Sequence, residues 1–259
     1  MNTIAVIPAR MGSSRFPGKP LAPIAGIPMI GHVWKRTALA LGDDNTWVAT
    51  CDQEIFDYIE SVGGHAVMTA DSHERCTDRT AEAMLKIEAE TGRADVVVMV
   101  QGDEPLVTPE MIRQAVAPFS TDPDVQVVNL MGELASREEH DDPNEVKVVV
   151  NLAGNALYFS REPIPSWKKG ATDVPMYKQV CIIPFRRDFL LTFNALPPTP
   201  LEVVESVDML RLLEHGYPVR MVHTTERNIG VDTPRDLAVA EALMVTDPVF
   251  ASYGALMRK

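Results

Sequence analysis

The chain has little of several things, and each scarcity closes a class of function. Cysteine occurs three times in 259 residues, at Cys51, Cys76 and Cys181. The three are isolated and odd in number, so they suggest neither a disulfide framework nor a zinc site, and they fit a reducing cytosol. The six histidines are scattered, without the i, i+4 pairing of a helical metal site. No apolar run approaches membrane-spanning length. The first apolar run has no basic segment before it and no cleavage pattern after it, so it reads as a strand rather than a signal peptide. Basic residues are the minority, 24 Lys and Arg against 36 Asp and Glu, for a net charge of -12. That balance argues against nonspecific nucleic-acid binding and leaves room for a locally basic site for a small anion. Repeats and low-complexity segments are missing too, and an apolar content of 46% gives no sign of disorder.

What is present is concentrated in residues 4–21, IAVIPARMGSSRFPGKPL. An apolar β-branched run ends in Pro8-Ala9, and a loop of small residues follows with three cations, Arg10, Arg15 and Lys19, and no acid. A buried strand feeding such a loop presents backbone N–H groups to phosphates. The loop is not a Walker A. Five residues rather than four separate Gly12 from Gly18, and Pro20 stands where a magnesium-binding hydroxyl would be.

Short apolar runs at 4–7, 46–49, 65–68 and 96–100 alternate with helical patterns at about 28–41, 53–62, 78–90 and 109–118. Continuous apolar strands alternating with helices predict an α/β fold, a mostly parallel sheet with helices on both faces. Ligands of such sheets sit at the carboxyl ends of the strands. The second half is less regular. Strands are expected at 125–130, 145–150, 156–159, 180–185 and 219–223, some of them antiparallel, and helices at 186–194, 201–215 and 233–244. The last dozen residues read as a loose tail or a docking arm.

Two carboxylates fall in turns that suit a metal. The run Gln101-Gly102-Asp103-Glu104-Pro105 closes a buried strand, and magnesium binds through one or two carboxylates plus phosphate oxygens. In Ile229-Gly230-Val231-Asp232-Thr233-Pro234-Arg235-Asp236, Thr233, Pro234 and Asp236 serve as an ordinary helix cap, which leaves Asp232 free to face a site. Between a strand and a helix lies Arg75-Cys76-Thr77-Asp78-Arg79, where Asp78 can cap the helix and the arginines add positive potential. Cations for a polyphosphate and two carboxylates for magnesium suit nucleotidyl transfer, which needs mainly positioning and charge neutralisation.

These motifs occur in order with Pro143-Asn144-Glu145-Val146-Lys147-Val148, Ala156-Leu157-Tyr158-Phe159-Ser160-Arg161 and Thr199-Pro200-Leu201-Glu202. Over about residues 3–245 the chain resembles the 3-deoxy-manno-octulosonate (KDO) cytidylyltransferases. The resemblance implies a Rossmann-like nucleotide-diphospho-sugar transferase fold: a single domain over 1–259, in which a segment at about 125–200 forms a small acceptor-binding and dimerisation lobe. It implies a cytoplasmic homodimer that moves CMP from CTP to a 2-keto sugar acid, with magnesium, and releases pyrophosphate. Arg10, Arg15 and Lys19, with Ser13 and Ser14, match the family's triphosphate loop, and Ala9 its backbone contact to cytosine. Thr77, Arg79 and Gln101 match its nucleoside side, and Asp103 and Asp232 its magnesium ligands. Arg10, Lys19, Asp103 and Asp232 are the expected catalytic set.

On the acceptor side the candidates are Arg75, Arg161, Gln179, Glu202 and Asp208, and there the chain departs from the family. The usual His-Ile-Gly-Ile-Tyr-Gly-Tyr-Arg is Gln179-Val180-Cys181-Ile182-Ile183-Pro184-Phe185-Arg186, the usual Glu-Gln pair is Asp208-Met209, and Ser-Gly is replaced by Arg75-Cys76. Lost hydrogen-bond partners and a gained arginine point away from ordinary KDO, toward a compact anionic acid such as a phosphonate or phosphonocarboxylate. A different nucleotide, UTP or ATP, stays open at this point. A catalytically silent nucleotide-binding protein would show damaged metal positions, and both carboxylates are intact.

Overall fold

The computed structural model describes residues 1–12 and 15–257 and divides into two compact units, one of residues 1–113 and 228–259, the other of residues 114–227. Ser13 and Ser14, two of the loop candidates, lie outside the described residues.

In the first unit four strands run parallel in the spatial order Val96–Val100, Thr3–Ala9, Thr46–Thr50, His65–Met68. The alternation of apolar runs and helical patterns is realised as expected. Ile4, Ala5, Val6 and Ile7 are all buried, so both faces of the first strand are covered. Helices Met29–Leu41 and Cys76–Thr91 pack on that strand, and Gln53–Ser61 packs on the two beyond it. The expected helix at 78–90 begins earlier, at Cys76. Arg75 therefore holds the N-cap position and Asp78 lies in the first turn, where a carboxylate favours the helix dipole without capping it.

The end of the chain is not a loose tail. Helix Pro248–Met257 folds into the first unit, with Phe250 and Tyr253 in a core cluster that also holds Ile24, Ile27, Met29, Leu106 and Val231. Tyr253 Oη meets His32 Nδ1 at 2.6 Å and accepts from Arg36 Nε at 2.9 Å. His32 Nε2 donates to the Ile24 carbonyl at 2.8 Å, which leaves Nδ1 as the acceptor for the tyrosine hydroxyl. Arg36, fully buried, is neutralised by Asp247 at 3.0 Å.

The second unit carries a five-stranded sheet in the order Arg220–Thr224, Val128–Glu133, Tyr177–Val180, Lys147–Val150, Ala156–Ser160. Its first pair is parallel and the rest antiparallel. Two expected elements are broken here. The run at 180–185 is two strands, Tyr177–Val180 and Ile182–Arg186, that part at Cys181. The helix expected at 201–215 is Pro200–Glu205 and Met209–Glu214, interrupted where Ser206 takes a left-handed conformation at φ 53°.

Candidate active site

The three loop cations and both carboxylate turns meet in one cleft of the first unit. About 290 Å³ in volume, it is lined by Pro8, Ala9 and Arg10 at the end of the first strand, by Gly12, Arg15, Lys19 and Pro20, and by Cys76, Gln101, Gly102, Asp103 and Asp232. It sits at the carboxyl ends of strands Thr3–Ala9 and Val96–Val100, where a parallel sheet offers backbone and side chains to a ligand.

Local chemistry explains each wall. Gly18, at φ 75°, takes the left-handed conformation that ends the loop, and its N–H donates to Met11 O at 3.1 Å. The Met11 N–H in turn donates to Asp52 Oδ2 at 2.8 Å, so this residue is clasped at both backbone groups. Gly102 allows the second turn to press on the first, since a Cβ there would lie 3.0 Å from Pro8 O. The two carboxylate turns are joined directly, because Val231 N–H donates to Asp103 O at 2.9 Å. Behind Asp232, Thr233 and Asp236 form the expected capping box of helix Pro234–Met244.

Lys19 Nζ stands at the centre. It donates to Val231 O at 2.7 Å, Asp103 Oδ2 at 2.9 Å and Asp232 Oδ1 at 3.3 Å. Burial works against its charge, yet Asp103 and Asp232 together outweigh that and raise its pKa above the ordinary lysine value. Arg15 reaches Asp232 at 3.0 Å from a more exposed position. Among the described residues no group of three or more His, Cys, Asp and Glu is placed to hold a metal, so any divalent ion here relies on the two carboxylates and on its substrate.

From the 75–79 segment Cys76 lines the cleft, while Thr77 and Arg79 are buried. Arg79 Nη1 donates to Thr69 Oγ1, and its Nη2 has no hydrogen-bond partner among the described residues. Arg75 is half-buried at the helix N-cap.

Residues 4–228 match the family described as Cytidylyltransferase. The 3-deoxy-manno-octulosonate cytidylyltransferase of Syntrophotalea carbinolica is 46% identical over 250 residues, 93% of this chain and 98% of its own. The chain belongs to the KDO cytidylyltransferase family. A protein of the same name from Geobacter sulfurreducens is 44% identical over 92% of this chain and 97% of its own. A solved structure of CMP:2-keto-3-deoxy-manno-octonic acid synthetase in complex with CTP is 40% identical, covers 95% of this chain and 99% of its own, and superposes with a TM-score of 0.87. The α/β nucleotidyltransferase fold expected from the sequence is thus the fold of the family, and the chain is an enzyme of the nucleotidyltransferase class.

The other four acceptor candidates belong to the second unit and are held in different ways. Arg161 follows edge strand Ala156–Ser160 and donates through Nε to Glu205 O at 2.7 Å and through Nη1 to Pro143 O at 2.8 Å. Gln179, two strands away in the sheet, donates to Asn129 Oδ1 at 2.6 Å. Glu202 is 1% exposed and paired with Arg211 through two bonds of 2.8 and 2.6 Å. Asp208 is half-buried at the start of helix Met209–Glu214. Of the positions where the chain departs from the KDO family pattern, Ile183, Phe185 and Met209 are buried among core residues.

Two residues with evident positioning work carry no signal in the sequence reading. Asp52 holds the cationic loop at Met11, from a strand end distant in sequence. Glu205 accepts from Tyr158 Oη at 3.2 Å, Ser160 Oγ at 2.9 Å and the Arg161 N–H at 2.8 Å, which fixes the Arg161 backbone. A carboxylate on a short helix looks like any solvated residue until its partners are in place.

Proposed function

We propose that this enzyme moves CMP from CTP to a small 2-keto sugar acid of the KDO class, with magnesium, and releases pyrophosphate. The observation that carries the reading is the meeting of Arg10, Arg15 and Lys19 with Asp103 and Asp232 in one cleft at the ends of parallel strands. The names of its relatives, and the CTP complex of one 40% identical, support donor and acceptor.

The cleft fits a divalent ion on the chemistry of its donors: three oxygens already surround one cation, Lys19 Nζ, at 2.7–3.3 Å. Asp103 and Asp232 would hold magnesium, which when bound neutralises phosphate charge and lowers the pKa of the acceptor oxygen. Arg10, Arg15 and Lys19 bind the triphosphate, with Ser13 and Ser14 in the same loop. The Ala9 backbone and Gln101 meet the nucleoside, and Thr77 and Arg79 help to enclose it. The acceptor oxygen attacks the α-phosphorus in line, and the bond to the β-phosphate oxygen breaks as pyrophosphate leaves. Arg161, Gln179 and Asp208 meet the acceptor, and Glu202 shapes that side through Arg211.

A small phosphonate is the second reading, favoured by Arg75 beside Cys76 of the cleft lining. It is placed second because an apolar side chain at buried positions 183, 185 and 209 is a packing choice as much as a change of specificity. The homodimer is supported by exposed apolar side chains of the second unit, Leu157 on an edge strand and Val203 and Val204 on a short helix. Pyrophosphate release is to be measured with CTP, UTP and ATP against KDO, other 2-keto sugar acids and a set of phosphonates. Turnover of CTP with KDO is the expected result. Turnover with a phosphonate and none with KDO would move the second reading to first place, and release with no combination would end both.

A further inference from the structure

Of the cations lining the cleft, Lys19 is buried, whereas Arg10 and Arg15 are exposed. A lysine ammonium has three N–H donors and no acceptor. Lys19 directs all three to oxygens of its own chain, at Val231 O, Asp103 Oδ2 and Asp232 Oδ1. None remains for a phosphate oxygen. The same two carboxylates are the ones a divalent ion would need. In the free protein, then, one side chain and one metal site block each other.

We propose that Lys19 is the free enzyme's own occupant of its cation cage, and that it changes partners when nucleotide and metal enter together. The inference rests on the triphosphate and divalent-ion reading above. Lys19 yields Asp103 and Asp232 to the ion and turns its N–H groups to the triphosphate, with the Val231 carbonyl as the one partner it can keep throughout. Charge decides the order. A dication that arrives alone must expel an ammonium whose side chain is 11% exposed, with no anion to receive it. When a triphosphate arrives too, the expelled ammonium gains a stronger partner than the one it gave up. Arg15, 54% exposed, is screened by solvent and adds little to the block. Metal and nucleotide therefore raise each other's affinity by the same factor.

The test is a titration of the intact protein with Mn²⁺ in the absence of nucleotide, with free Mn²⁺ counted by electron paramagnetic resonance. Lys19→Met keeps the chain length and removes the charge, and it is expected to bind Mn²⁺ at least tenfold more tightly than the wild type. Equal affinity within twofold would overturn the proposal. A second measurement needs no altered site, Lys19→Arg being used only for assignment. In ¹⁵N-lysine spectra of the wild type, the Lys19 ammonium is expected to be protected in the free protein and to shift when CTP and Mg²⁺ are added together. A signal that stays in place while CTP binds would also overturn it. Failure of the underlying reading would look different: no saturable CTP binding to the wild type with Mn²⁺ present.

Discussion

At the scale of single residues, the cleft depends on groups that do not line it. Asp52 is the clearest, since its carboxylate accepts the Met11 N–H at 2.8 Å and so sets the start of the loop that carries Arg15 and Lys19. A hydrogen bond to a charged acceptor contributes about 1.5–3 kcal/mol, which corresponds to roughly tenfold or more in affinity. Asp52→Ala is expected to raise KM for the nucleotide about tenfold with kcat little changed, and Asp52→Asn, whose amide oxygen still accepts, to restore most of it. Steady-state kinetics on the two variants check this, and an unchanged KM in Asp52→Ala would remove the positioning role. Lys19 differs in kind, because in the free protein Asp103 and Asp232 hold its charge and raise its pKa above the ordinary lysine value despite its burial.

Among elements, helix Cys76–Thr91 shows how a segment beside the cleft is held in place. Glu82 accepts from the Ala70 N–H at 3.1 Å, from Lys86 at 2.7 Å and from His73, pinning the connection that carries Arg75 to the helix. Burial alone would raise its pKa, but Lys86, the Ala70 amide and His73 outweigh that and hold it down at about 2, against an ordinary value of 4.5. A carboxyl whose folded pKa is depressed stabilises the protein fully above its unfolded pKa and loses that contribution as pH falls through the folded value. Thermal unfolding from pH 6 down to pH 2 is therefore expected to show Glu82→Gln less stable than the wild type at pH 6, with the gap closing between about 4.5 and about 2. A gap independent of pH would mean that the Glu82 charge has no part in the pinning. Elements also differ in how far they could be read from the sequence. The strands Thr3–Ala9 and Val96–Val100 announced themselves as continuous apolar runs because both their faces are covered. The break at Cys181 and the left-handed Ser206 had no such marker, since neither position carries the glycine or proline that usually announces a change of direction.

On the scale of the whole molecule, the first unit is closed by its last segment. Residues 228–257 return to a sheet built from residues 1–113, and the two carboxylate turns meet only because of that return. The motifs themselves were legible: the cationic loop, the Asp103 turn and the Asp232 turn each have a local composition. Their closure was not, because the residues that receive helix Pro248–Met257, His32 and Arg36, sit on a helix near the start of the chain and look there like polar interruptions of an apolar face. The core cluster that receives Phe250 and Tyr253 also contains Val231, whose carbonyl holds Lys19 and whose neighbour is Asp232. Stability and site geometry thus share one set of contacts. Tyr253→Phe leaves His32 Nδ1 and Arg36 Nε without their buried partner, a loss of about 1–3 kcal/mol. Phe250→Ala opens the cluster and is expected to cost about 3–5 kcal/mol. If the cluster also supports the site, Phe250→Ala should weaken CTP binding in the presence of Mn²⁺ at temperatures where circular dichroism still shows a folded protein, with Tyr253→Phe in between. Loss of stability with unchanged CTP affinity would show that the helix braces the fold and leaves the Asp232 turn to hold itself.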